Sequence, residues 1–262
     1  MAFFSVDGVQ LYYEVWPASG PPVLFLHGLG SSSADWGLQV SAFAARHPVI
    51  LADLRGHGRS SAARRRITVE AMAEDVERLL GHLGREAVHV VSLSLGGCVA
   101  LALALRAPER VRSLTLVNAF ARLAPAGISG LIGMGIRLGL VMAAPMPVVA
   151  SHVARRLFPK PEQQGLYQAA VASLSRTPRA VYLSAMRALA GFDVRKRLDG
   201  VRCPTLIVAG DRDTTVPLAA KEMLQRSIRG ARLLVVPDSG HATNCDQPDT
   251  FNRSVLEFLA AN

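Results

Sequence analysis

Cysteine is scarce in this 262-residue chain, with three residues at Cys98, Cys203 and Cys245. An odd number without metal-like spacing argues against a disulfide framework and points to a reducing compartment, so the expected location is the cytoplasm. No clustered His, Cys and acidic residues suggest a metal, and none is expected. Lysine is also rare: only three of the 29 basic residues are lysine, although the formal net charge is +9. Around that charge there is no stripe of Lys and Arg interleaved with aromatics, and no zinc-finger spacing. The balance therefore reads as solvated basic surface, not as a nucleic-acid site. Its densest run, Arg64-Arg65-Arg66, falls in an expected loop. The opening MAFFSVDG lacks a basic segment leading into a long apolar run, so no secretory signal is expected.

Half of the composition is apolar, enough for one large core. Short apolar runs at 11–16, 23–26, 49–52, 87–91, 111–117, 205–209 and 233–236 read as strands. Between them lie helical patterns at 68–83, 96–106 and 218–228, with a last one at 250–259; Thr68 is placed to cap the first. Short apolar strands alternating with helices predict an α/β fold: a mostly parallel central sheet with helices on both faces.

The stretch 120–198 breaks this rhythm, with no convincing strand. Residues 127–150 are apolar apart from Arg137 and rich in Gly, Met and Pro. Pro145 and Pro147 argue against one straight transmembrane span, so no stable membrane insertion is expected. Helices at 163–174 and 179–189 follow. The predicted organisation is a core of 1–119 and 199–262 with a helical cap at 120–198.

Parallel sheets present their active groups at the carboxyl ends of strands. Ser94 stands there, in Ser92-Leu93-Ser94-Leu95-Gly96-Gly97, where a sharp strand-to-helix turn would lift its hydroxyl off the sheet. The usual pattern is G-x-S-x-G; here Ser92 replaces the first glycine. A serine hydroxyl needs a base. His241 follows the last strand and precedes the last helix, so it is the best placed of the seven histidines. A carboxylate must orient that base. Asp213, in Gly210-Asp211-Arg212-Asp213 after the 205–209 strand, is the first choice and Asp211 the fallback; Asp238 and Asp246 suit capping or loop roles.

The order Ser, Asp, His is found together with His27-Gly28-Leu29-Gly30, the loop from Asp53 to Ser60, Gly210 to Pro217, and Gly240-His241 with Asp246-Gln247-Pro248. On these stretches the chain resembles the α/β-hydrolase fold superfamily, in the capped branch of esterases, enol-lactonases, carbon–carbon bond hydrolases and haloperoxidase-like enzymes. The resemblance implies Ser94 as nucleophile, Asp213 as acid and His241 as base. It implies an oxyanion hole from the backbone N–H groups of Leu29 and Leu95, and no cofactor. His27 and the 53–60 loop look structural in this family. Trp36, Met134, Leu138 and Met142 are candidate pocket residues, with a core position equally open for Trp36. The expected substrate is a small to medium hydrophobic ester, lactone or thioester. Carbon–carbon bond hydrolysis, perhydrolysis, or ligand binding without turnover on the same scaffold stay open. Arg122, Arg155, Arg156 and Arg187 are candidate anchors for an acidic substrate. An apolar cap surface would also suit a homo-oligomer or contact with a membrane.

Overall fold

The computed structural model describes residues 2–62, 67–123 and 127–262, so the Arg64-Arg65-Arg66 run lies outside the described residues. Eight strands form one sheet: β1 (Ala2–Val6), β2 (Val9–Trp16), β3 (Val23–Leu26), β4 (Val49–Ala52), β5 (Val88–Leu93), β6 (Val111–Val117), β7 (Thr205–Gly210) and β8 (Arg232–Val236). Their order across the sheet is β1-β2-β4-β3-β5-β6-β7-β8. Only the β1/β2 and β2/β4 pairs are antiparallel; from β4 to β8 every neighbour is parallel. The hairpin that places β1 at the edge was not predicted, because only alternate residues of β1 face the protein: Ala2, Phe4 and Val6 turn inward while Phe3 and Ser5 are exposed, so there is no long apolar run.

The helices are α1 (Gly37–Ala44), α2 (Val69–His82), α3 (Leu95–Arg106), α4 (Gly127–Ala143), α5 (Met146–Leu157), α6 (Gln164–Arg176), α7 (Arg179–Gly191), α8 (Leu218–Ser227), α9 (Thr243–Asp246) and α10 (Pro248–Ala260). Thr68 caps α2 as predicted: its hydroxyl accepts the Ala71 N–H at 3.1 Å. The strands are apolar on both faces because both are covered. Val23 and Phe25 pack with Phe43, Phe251 and Phe258 from α1 and α10. Leu24 and Leu26, turned the other way, pack with Met72, Leu79 and Val99 from α2 and α3.

Between β6 and β7 the chain forms α4–α7, and among the described residues it contributes no strand to the sheet there. Pro145, extended at φ −59° and ψ 147°, divides the apolar run of 127–150 between α4 and α5 and stands at the start of α5. Where this helical insert leaves and rejoins the sheet, Arg122 and Asp193 form an isolated antiparallel bridge. The Val194 N–H also donates to Ala121 O at 3.0 Å. Among the described residues, no helix is long and apolar enough to cross a membrane.

Candidate active site

Ser94 sits between β5 and α3 with φ 53° and ψ −109°, a left-handed conformation that strains any residue with a Cβ. Its N–H donates to Val117 O at 3.0 Å, which ties the turn to the neighbouring strand. The turn is feasible because Gly96 follows: a Cβ there would stand 2.3 Å from Leu26 O. Ser92, in place of the usual glycine, is buried, and its hydroxyl donates to Thr115 O at 2.9 Å, so the extra side chain is accommodated without an orphaned polar atom. This makes Ser92 a strand residue and leaves Ser94, at 9% exposure, at the turn.

Asp213 and His241 meet from separate loops. His241 Nδ1 lies 3.0 Å from Asp213 Oδ2. Asp213 Oδ1 accepts the N–H groups of Thr215 at 2.8 Å and Val216 at 3.1 Å. Two residues missed at the level of sequence hold this arrangement. The first is Lys221 on α8, fully buried, whose Nζ donates to Asp213 Oδ2 at 2.8 Å. It shares a helix face with buried Leu224, and that shared periodicity was its only signal. The second is Asn118, just past β6. Its Nδ2 donates to His241 O at 2.7 Å and Gly240 O at 3.2 Å, and its Oδ1 accepts Gly210 N–H at 3.0 Å. One amide side chain thus ties the β7 end to the His241 loop. Gly210 permits their approach: a Cβ there would meet Gly240 O at 2.3 Å.

Burial would raise the Asp213 carboxyl, but the His241 ring and the Lys221 ammonium outweigh it and hold the carboxyl below the ordinary carboxylate range. Burial lowers the Lys221 ammonium despite the pull of Asp213. The alternative acid, Asp211, instead accepts the Ser239 N–H at 3.1 Å. Asp238 pairs with Lys160 at 2.7 Å, and Asp246 accepts the Gly240 N–H at 2.6 Å, both loop roles. His27 and Asp53 also bind backbone: His27 Nε2 accepts Leu54 N–H at 3.0 Å, and Asp53 accepts Ser33 N–H at 2.6 Å.

Ser94 and His241 open on one cavity of about 830 Å³. Leu29 stands on its wall, and Leu95 opens α3, whose first N–H groups have no intrahelical partner. Met134, Leu138 and Met142 line the cavity as expected positions, together with Leu131, Leu157 and Met186. Of the four arginines read as anchors, Arg156 and Arg187 reach the wall and Arg122 and Arg155 do not; Arg137 joins them. Trp36 is a correction. It lies outside the lining, fully buried, with its ring 4.9 Å from Phe25 and 6.2 Å from Phe251. The turn at Ser33–Trp36 directs the indole into the core below the first loop, away from the cavity.

The α/β hydrolase fold family model matches residues 21–248. "Putative carbamate hydrolase RutD" of Azorhizobium caulinodans is 35% identical over 265 residues, 98% of each chain. 3-Oxoadipate enol-lactonase 1 of Acinetobacter baylyi is 31% identical, covering 93% of this chain and 90% of that protein. The crystal structure of the enol-lactonase from Burkholderia xenovorans superposes with a TM-score of 0.91 at 26% identity, over 98% and 99% of the two chains. This chain belongs to the α/β-hydrolase fold family. Its relatives support hydrolase activity.

Proposed function

We propose that the protein is a serine hydrolase that cleaves small to medium hydrophobic carboxylic esters or lactones, with 120–198 acting as the substrate-selecting cap. The supporting observation is the His241–Asp213 contact of 3.0 Å, with His241 and a strained Ser94 lining one apolar cavity. His241 takes the Ser94 proton as Oγ attacks the carbonyl carbon, and the Leu29 and Leu95 N–H groups stabilise the oxyanion. His241 then protonates the leaving alkoxide, giving alcohol and acyl-enzyme. It next takes a proton from water, whose oxygen attacks the acyl carbon; Ser94 recovers its proton and the acid is released. Asp213 stays ionised and holds the ring.

The carbamate in the name of the Azorhizobium relative is a substrate class open to the same acyl-transfer steps. A second reading, carbon–carbon bond hydrolysis of a diketone acid, is favoured by Arg156 and Arg187 on the cavity wall, with His152 Nε2 left without a partner nearby. Treatment with a fluorophosphonate tests the shared step. Intact mass should show one adduct, mapped to Ser94 and absent from Ser94→Ala. No adduct on folded protein would overturn the nucleophile and favour a binding scaffold. A panel of esters, lactones, carbamates and diketone acids then separates the chemistries.

A further inference from the structure

The charge of the chain is concentrated in one place. Residues 120–198 hold eleven basic and two acidic residues, a net +9, while the rest of the chain is balanced at eighteen of each. Among the described residues, Asp193 meets Arg122 and Arg195, Asp238 meets Lys160, and the other cations of the insert have no acidic partner.

The same insert carries an uncovered apolar helix. Ile128, Ile132 and Ile136 follow at four-residue spacing on one face of α4 and are 78%, 58% and 50% exposed. None of the three lines the cavity, but the adjoining face does, through Leu131, Met134, Leu138 and Met142. Arginines frame the helix. Arg137 stands on it and donates to the Tyr182 hydroxyl at 2.9 Å, and Arg156 lies against Gly133. Arg179 donates to Met142 O and Ala144 O at its carboxyl end, at 3.2 and 2.7 Å. A helix with an apolar outer face framed by cations, and without an acidic residue, has the chemistry of a segment that lies in a lipid interface.

We propose that α4 docks on an anionic bilayer, with the isoleucine stripe at the acyl boundary, the arginines at the phosphates and the cavity mouth opening onto the lipid. Charge decides between this occupant and a second copy of the chain. A symmetric pairing through α4 would bring two +9 inserts together, whereas an anionic surface neutralises both. The inference does not rest on the triad, because its readout is binding.

The test is cosedimentation with vesicles of phosphatidylcholine alone and of phosphatidylcholine with an equal part of phosphatidylglycerol. Partition should be at least about tenfold stronger on the anionic vesicles and weaken with salt. The double variant Ile132→Asp with Ile136→Asp should lose at least about tenfold while keeping its far-UV spectrum and melting temperature. Equal partition to both vesicles, or none, overturns the proposal. So does a lipid-free dimer in sedimentation velocity that the double variant dissociates, which would make α4 a contact between copies.

Discussion

Asp213 accepts four hydrogen bonds, from Thr215, Val216, Lys221 and His241. The outer face of α4 presents three isoleucines to solvent, while Arg137 on the same helix reaches the Tyr182 hydroxyl. The strand ends are over-determined: removing one partner leaves the others in place but uncompensated. The insert is tied to the core through Thr177 to Gly30 O, Arg156 to Thr214 O, Lys160 to Asp238 and Gln163 to Asp246, but none of these ties starts from α4. A tightly bonded cluster at the strand ends and an uncovered helix face thus occupy different layers of one molecule.

The sharpest way to break that contrast is Lys221→Met. Taking one partner from a buried ion pair costs roughly 3–5 kcal/mol of stability, well above the effect of an ordinary surface change. Asp213 also loses one of the partners that fix the carboxylate under the His241 ring, so kcat should fall about tenfold or more with KM little changed. A variant that loses stability with an unchanged kcat would reduce Lys221 to a packing role.

Acid should loosen the core through its buried imidazoles. Burial pulls His57 down to about 3 and His89 to about 4, against an ordinary 6.5. Between those values the unfolded chain binds protons that the folded chain refuses, so both residues lower stability as pH falls below about 6.5. Asp35 and Asp75, whose carboxyls burial raises, act in the opposite sense. The diagnostic is the difference between wild type and His89→Asn in denaturant titrations from pH 7 to pH 4. The wild type should lose about 2 kcal/mol more than the variant. Parallel profiles would show that His89 does not titrate in this window.

The smallest change addresses the insert alone. A Cβ at Gly139 of α4 meets nothing within 4 Å. Gly139→Ala should firm the helix by up to about 1 kcal/mol and raise amide protection in α4, leaving β5 and β7 as they were. Protection gained across the sheet would mean that the two layers are not independent.

Much of this was legible in the chain. Apolar runs marked the inner strands because both faces of a parallel sheet are covered, and Ser94, Asp213 and His241 stood out as polar residues placed just after such runs. Three features were hidden for physical reasons. Lys221 looks like a surface lysine until its helix face is matched to Leu224. Asn118 acts through its side-chain amide on loops far away in sequence, and no local pattern encodes that. Trp36 has the amphipathic ring of a pocket residue, but the turn that carries it faces Phe25. The charge of the insert could be counted directly, yet it acquired meaning only when α4 proved to be exposed.

The bridge between Arg122 and Asp193 has a consequence for how such a protein can change. The chain departs from and returns to the sheet at one point, so the ends of the insert stay joined whatever lies between them. Closing a longer or shorter loop there costs little, since the entropic penalty grows only with the logarithm of length. The helices above that point are therefore exchangeable parts. A different set could be grafted between 122 and 193 to receive another ligand or another surface, while the sheet below kept its register.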